Sequence, residues 1–189
     1  MPTFVALLRG INVGKARRVP MAELRSLFED VGYGVGIQTL LNSGNIVFAD
    51  AHKSAAAHAR AISGALRDRF GFDVPVVVKS AAELAATVEE NPLAAPGVDP
   101  SRLLVVFAQG AAPPAAVRAL AAAVQPPDQF AVGRRAAYLY CPDGILASPA
   151  AKRALAGPSE LVTTRNWATV LKLQALVAPG NAAARGHDA

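Results

Sequence analysis

The sequence predicts an α+β fold of two ferredoxin-like units, each with helices packed on an antiparallel sheet, followed by a C-terminal helix. Two observations predict this class. Segments with apolar residues at helical spacing alternate with short β-branched segments, so that the first half reads strand, helix, strand, strand, helix, strand. This is the split βαβ order of ferredoxin-like domains. The second half nearly repeats the order, which predicts a second βαββ-type unit ending in helices.

The elements of the first half follow from apolar spacing and from glycine and proline positions. One helix is expected to start at Pro20 and end at Gly32, and another contains Ile62 and ends at Gly71. Asn42-Ser43-Gly44 has the composition of a hairpin turn. The predicted strands are Thr3–Leu8, Val35–Leu41, Asn45–Ala49 and Val74–Lys79.

The second half is predicted in the same way. Ser80 and Glu83 form a capping box, so a short helix is expected to run to about Glu90. A last helix is expected to start at Thr163 or Thr164, with one stripe of its side chains in the core. The other expected elements are a strand at 102–108, a helix at 114–124, a hairpin of 129–133 with 136–141, and a helix from Ser148 to Gly157. The stripe consists of Trp167, Val170, Leu171, Gln174 and Val177. We expect domains at residues 1–90 and 91–178, with a loose tail at 179–189.

Composition excludes several classes of protein. A hydrophobic fraction of 52% excludes general disorder. The chain has a single cysteine, Cys141, which excludes an intramolecular disulfide framework. We expect Cys141 to be a small buried residue. The sequence has neither a signal peptide pattern nor an apolar stretch long enough to cross a membrane, so we expect a cytoplasmic protein without membrane contact.

The net charge of +5 is concentrated near the N-terminus. Arg9, Lys15, Arg17 and Arg18 lie in one stretch without an acidic residue. A local excess of this kind favours anions such as phosphates, nucleic acid or acidic metabolites. A solvated surface that simply carries these charges is the alternative.

The first candidate site is the loop Arg9–Lys15, which follows a strand and precedes a helix. Its glycines would let the backbone approach a ligand closely. The spacing is not that of a P-loop, because three residues separate Gly10 from Gly14 and Ala16 follows the lysine. The alternative is a plain connection whose glycines have positive φ.

The second and third candidates are the turn Asn42–Asn45 and the segment Thr163–Trp167. The turn is also explained by the backbone preferences of Asn, Ser and Gly. A hydroxyl cap beside Arg165 would make a helix N-terminus attractive to anions, although an ordinary N-cap explains the threonines equally well. Lys172 would lie on nearly the same helical stripe as Arg165.

Together these segments give one hypothesis, a single pocket for an anionic ligand. Its ligand-binding residues would be Arg9, Gly10, Asn12, Ser43, Gly44, Asn45, Thr164, Arg165 and Asn166. No spacing of Cys, His or carboxylate side chains indicates a metal site, and no particular cofactor or catalytic residue is indicated. Glu89-Glu90 is interpreted as a solvated helix end.

A set of motifs extends over roughly residues 3–177, namely Leu7–Gly14, Val19–Met21, Ser43–Asn45, Val76–Leu84, Asn91-Pro92, Thr163–Trp167 and Thr169–Leu173. In these motifs the chain resembles the bacterial domain of unknown function 1697 family. Family members commonly have Gly where this chain has Lys15, which makes Lys15 a poor candidate for a shared function, and they have a shorter tail. The resemblance implies no particular activity, cofactor or catalytic residue.

The leading functional hypothesis is a binding protein or enzyme for a small anionic, phosphate-bearing ligand. Nucleic-acid binding on a ferredoxin-like sheet is less favoured, because the aromatic content is 6% and no strand has a basic-aromatic pattern. An oligomerising or regulatory module without catalysis is the third possibility, since sheet edges are free to pair. The oligomeric state is left open.

Overall fold

The computed structural model describes residues 1–14, 17–34, 36–157 and 161–178. Within them the chain forms six α-helices and two four-stranded antiparallel sheets, which confirms the predicted α+β class. The residues group into two compact units, one of Met1–Ala82 with the described residues from Leu173 onward, the other of Glu83–Lys172. The domain boundaries expected at 90 and 178 stay predictions. Lys15, Val35 and the predicted tail lie outside the described residues.

The first sheet has the strand order β2-β3-β1-β4. Phe4, Ala6 and Leu8 of its central strand are buried on the face that packs against the two helices. The second helix begins after Ser54, whose side chain accepts a hydrogen bond from the N–H of Ala57, and it ends at a left-handed Gly71. The elements are β1 (Thr3–Leu8), α1 (Met21–Asp30), β2 (Gln38–Leu40), β3 (Asn45–Ala49), α2 (Ala55–Phe70) and β4 (Val76–Ser80).

The second sheet has the same kind of order, β6-β7-β5-β8. The helix predicted at 114–124 is one short α-helix that tightens into a 3-10 helix at Ala119–Ala123, as helix C-termini often do. The elements are α3 (Ala81–Glu89), β5 (Leu103–Ala108), α4 (Ala115–Arg118), β6 (Gln129–Val132), β7 (Ala136–Tyr140), α5 (Pro149–Ala156), β8 (Val162–Asn166) and α6 (Trp167–Val177).

The predicted start of the last helix is wrong. Thr163 and Thr164 lie in the strand β8, where Thr164 pairs with Val106 of β5, and the helix α6 begins only at Trp167. Threonine is a common N-cap, but its branched Cβ also favours strands, and here strand pairing prevails. Because Arg165 is therefore in a strand, it shares no helical stripe with Lys172.

The core stripe of α6 is partly as predicted. Trp167 is buried with 7% of its surface exposed, which confirms its predicted place in the core. Leu171 is wrongly placed on that stripe, since it is 39% exposed while Leu173 is fully buried. The helix is apolar nearly all round, so the apolar pattern alone does not identify its buried face.

Glu90 is not a solvated helix end. Its carboxylate accepts hydrogen bonds from the backbone N–H groups of Arg134 at 3.2 Å and Arg135 at 2.8 Å, in the turn between β6 and β7. The hydroxyl of Tyr138 donates to the same carboxylate at 3.3 Å and to the carbonyl of Thr87 at 2.7 Å. These bonds hold the end of α3 against the second sheet.

Candidate functional site

Asn12 joins the loop after β1 to the turn between β2 and β3. Its side-chain amide donates to the carbonyl of Val19 at 2.9 Å and to the carbonyl of Asn42 at 3.0 Å. The side-chain oxygen accepts from the N–H of Val19 at 2.9 Å. Two segments about 30 residues apart in sequence are thereby held together.

The turn at Asn42–Asn45 packs tightly on the end of β1. Gly44 has a φ of +74°, and a Cβ added there would lie 2.7 Å from the Cβ of Leu8. The N–H of Leu8 donates to the carbonyl of Gly44 at 2.8 Å. Asn45 is fully buried and donates to the carbonyl of Leu40 and to the hydroxyl of Ser43. The turn therefore requires glycine at position 44 and is fixed by side-chain bonds.

Backbone strain is concentrated in these two segments. Among the described residues, the non-glycine residues with positive φ are Asn12 at 56°, Arg17 at 51° and Leu41 at 59°. Asparagine adopts this conformation readily, whereas Arg and Leu do so at an energetic cost. Strained residues cluster at functional sites more often than elsewhere, so the strain draws attention to this part of the molecule.

A cavity of about 420 Å³ lies where the two segments meet the start of α1. This volume is within the range of small-molecule sites. Arg18 is the charged member of the described lining, and its side chain is exposed. The residues that line the cavity are Asn12, Arg18, Val19, Pro20, Met21 and Asn42.

The N-terminus of α1 adds to the electrostatic character of this cavity. Pro20 occupies the N-cap position, and a proline side chain accepts no hydrogen bond from the first turn. The first-turn N–H groups, with the positive end of the helix dipole, are therefore left for solvent or for a ligand. Glu23, the acidic residue of that turn, is exposed and is not part of the cavity lining.

A second cavity in the same unit serves as a comparison. It has about 380 Å³ and is lined by residues of α1 and α2, among them Asp30, Asp68 and Arg69. Arg69 forms an ion pair with Asp30, which leaves the lining with an acidic excess. The cavity beside Asn12 is the one suited to an anion, since its described lining includes Arg18 and no acid.

The predicted ligand-binding residues of the first unit differ in how many of their hydrogen-bond donors are already used within the protein. Both N–H donors of Asn12 and both of Asn45 are engaged within the protein. Arg9 is half-buried, and its N–H donates to the carbonyl of Pro75 at 3.0 Å. Sequence reasoning singled out neither Arg18 nor Asn42 as ligand-binding residues. The basic stretch from Arg9 to Arg18 was the signal that pointed to Arg18.

Thr164, Arg165 and Asn166 lie in the second unit, at the end of β8. The guanidinium of Arg165 donates to the hydroxyl of Thr163 at 3.0 Å and to the carbonyl of Thr164 at 2.7 Å. Burial lowers the pKa of Arg165 to about 10. Asn166, and not a threonine, caps α6, since its side-chain oxygen accepts from the N–H of Thr169 at 3.0 Å. The convergence of these residues with Arg9 and Asn12 in one cleft stays a prediction.

The described part of the chain also bears on metal sites and membrane-spanning helices. No group of three or more His, Cys, Asp or Glu side chains there is arranged to hold a metal ion. None of its helices is both long and apolar enough to span a membrane. Cys141 is fully buried, as predicted, and burial raises the pKa of its thiol.

Comparison with known proteins adds the fold and the family. The chain is similar in structure to a conserved bacterial protein from Streptococcus pneumoniae, with a TM-score of 0.76 and 23% sequence identity over 94% of this chain and 99% of that one. No curated protein matches the sequence. The model of a family of proteins of unknown function, DUF1697, matches residues 1–138. The chain therefore belongs to the DUF1697 family, as its sequence motifs predicted.

Proposed function

We propose that the chain binds a small anionic, phosphate-bearing ligand in the cavity beside Asn12. The observation that carries this proposal is that Arg18 and the first turn of α1 border the same cavity. A guanidinium forms two parallel hydrogen bonds to a phosphate, and backbone N–H groups at a helix start complement its charge. The segments that form the cavity wall are held by the side-chain bonds of Asn12.

The second unit supports this assignment as an internal comparison. We infer that both units are ferredoxin-like, because their sheets have equivalent strand orders. The loops after β1 and β5 begin alike: Arg9 donates to Pro75 and Gln109 donates to Leu161, and each is followed by a glycine with positive φ. The loop at 109–114 then continues without a charged residue, whereas the first loop carries the basic stretch. A connection of this kind therefore forms without these charges, so a ligand is the better explanation for them.

The test is a thermal-shift titration of the whole chain with inorganic phosphate, a sugar phosphate, a nucleotide and a short RNA. A ligand at 100 times its Kd stabilises the folded state by about 2.7 kcal/mol, which is a measurable rise in Tm. We expect a small phosphate-bearing compound to raise the Tm of the wild type. The same compound should not raise the Tm of Arg18→Gln.

Arg25→Gln is the matched control. Arg25 is an exposed residue of α1 that does not line the cavity, and Arg25→Gln removes the same charge as Arg18→Gln. It should keep the ligand-induced shift. A shift that survives Arg18→Gln, or that is lost equally in both variants, would reject the cavity. A shift with RNA alone would favour nucleic-acid binding instead.

A further inference from the structure

A buried group of three titratable side chains lies in the first unit, apart from the cavity. His58 is on the first turn of α2 and is fully buried. Its Nδ1 is 2.9 Å from the hydroxyl of Tyr33, and its Nε2 is 3.4 Å from Oδ2 of Asp50. The rings of Phe4 and Phe48 lie against the imidazole, with centroid distances of 4.6 and 5.0 Å. Water is therefore excluded from the imidazole.

The groups that face the two ring nitrogens determine the tautomer of a neutral His58. Burial opposes ionisation of Asp50, but the His52 N–H and the nearby His58 together hold the pKa of Asp50 below its usual value. An ionised carboxylate only accepts hydrogen bonds, so the proton of neutral His58 is on Nε2, facing Asp50. Nδ1 is then the acceptor for the Tyr33 hydroxyl. Burial and the charge of Asp50 raise the pKa of Tyr33 to about 12, so this hydroxyl remains a donor.

The contact between His58 and Asp50 is not a formed hydrogen bond. Nε2 of His58 and Oδ2 of Asp50 are both buried and have no hydrogen-bond partner in the described part of the chain. Buried polar atoms without a partner are uncommon in folded proteins. A small displacement would bring the two atoms into hydrogen-bonding distance, and a positive charge on the imidazole would favour that displacement.

The charged groups around His58 act in opposite directions. Asp50 favours the imidazolium. Burial disfavours it most strongly, and Lys53, whose Nζ lies 5.5 Å from the ring centroid of Tyr33, disfavours it too. The N-terminus of α2 also repels a cation. His52 follows in the same connection and donates its backbone N–H to Asp50, while β1 and β3 contribute only the neutral rings of Phe4 and Phe48. The net result is a lowered pKa of His58.

We propose that Asp50, His58 and Tyr33 form an acid-sensitive switch at the N-terminus of α2. Adding one proton from solvent to Nδ1 of His58 removes the acceptor of the Tyr33 hydroxyl and places two donors against each other. The Tyr33 hydroxyl has to turn away and becomes the acceptor of Nδ1–H, while Nε2–H is drawn onto Asp50. Neutral and protonated forms thus require different hydrogen bonds at the junction of the Tyr33 segment, the end of β3 and the start of α2.

The direction of the pH dependence follows from the lowered pKa of His58. The unfolded chain takes up the proton first as pH falls, so the stabilisation by neutral His58 is full above the usual pKa of 6.5. It is lost progressively below that value, until the pH falls through the folded pKa. One linked proton changes the folding equilibrium constant up to tenfold per pH unit in that window.

The test uses the whole chain and follows ring protonation of His58 by NMR from pH 7 to pH 5. Hydrogen exchange at the start of α2 is measured over the same range and expressed as protection factors, because the intrinsic exchange rate of an amide itself falls with pH. We expect neutral His58 to be the Nε2–H tautomer and to titrate below the usual pKa of 6.5, and we expect the protection factors at the start of α2 to fall as His58 takes up its proton. His58→Gln places an amide oxygen near Tyr33 and an amide N–H near Asp50, so it should abolish the pH dependence of these protection factors. His52→Gln should retain it.

Two results would overturn the switch. One is a wild-type His58 that titrates at or above the usual pKa of 6.5, or that carries its proton on Nδ1 at neutral pH. The other is a set of protection factors at the start of α2 whose pH dependence is unchanged in folded His58→Gln. The NMR measurement is made on the wild type, so it decides the question even if the variant does not fold.

Discussion

The close packing of Gly44 on the end of β1 predicts that this position does not accept alanine. An added Cβ would lie 2.7 Å from the Cβ of Leu8 and 2.9 Å from Cδ1 of Ile11. Gly71 is the matched control, because it has the same φ of +74° in the same unit and no atom within 4 Å of an added Cβ. Replacing both glycines separately distinguishes steric overlap from backbone strain.

The expected magnitudes can be assembled from these two terms. A left-handed conformation costs an L-residue about 1–2 kcal/mol, and this applies to Gly44→Ala and Gly71→Ala alike. Overpacking adds about 1–3 kcal/mol at Gly44 alone. Ile11 has a flexible end that is able to move, but the Cβ of Leu8 is fixed to a central strand. We therefore expect about 1–2 kcal/mol of destabilisation for Gly71→Ala and about 2–5 kcal/mol for Gly44→Ala.

The assay is urea unfolding followed by far-UV circular dichroism and by hydrogen exchange in α2. Both glycines belong to the first unit, so the same transition reports both variants. Equal losses of unfolding free energy, within about 0.5 kcal/mol, would refute the claim that the turn is packed against Leu8. Gly44→Ala should also weaken any ligand effect at the cavity, because Asn42 belongs to the displaced turn.

Two further predictions concern the second unit. Fluorescence of the buried Trp167 should be blue-shifted and poorly quenched by iodide, and Trp167→Ala should cost about 3–5 kcal/mol of unfolding free energy; quenching equal to that of free tryptophan would contradict its burial. Glu90→Gln should cost about 1–3 kcal/mol, because the N–H groups of Arg134 and Arg135 lose a charged acceptor. Burial and, secondarily, Glu90 raise the pKa of Tyr138, so the same variant should ionise Tyr138 at a lower pH in an absorbance titration; an unchanged titration would contradict the contact.

Most elements of the fold were predictable because the spacing of apolar residues and the residues that start or end elements indicate the same boundaries. In α2, Ile62 and Leu66 form the buried stripe, Ser54 supplies the cap and Gly71 the stop. Where one residue favours two different structures, the local sequence does not determine which of them forms. Thr163 is both a cap residue and a β-branched residue, and only pairing with Phe107 of β5 determines which preference prevails.

The candidate site was predictable only in part, because sequence identifies residue types but not which hydrogen bonds they have already made. Asn12 was predicted to be a ligand-binding residue. Its donors, however, are used on Val19 and Asn42, so it forms the wall of the cavity instead of offering free donors. The buried group at His58 had no sequence signal, since Tyr33, Asp50 and His58 become neighbours only when α2 packs on the sheet.

The strand β8 was not predicted from the local residue pattern, but it follows from the need of the strand β5 for hydrogen-bond partners. All six residues of β5 are buried, and a central strand needs hydrogen-bond partners on both edges. The strand β7 supplies one edge, and the β-branched residues at 162–164 were available for the other. In the first unit β4 fills this place and leads directly into α3, with Lys79 opposite Val5. In the second unit, Arg165 of β8 lies opposite Val105 of β5, at the place that corresponds to Lys79 opposite Val5. The fourth strand predicted in the first half therefore indicated that the second half also needs a fourth strand.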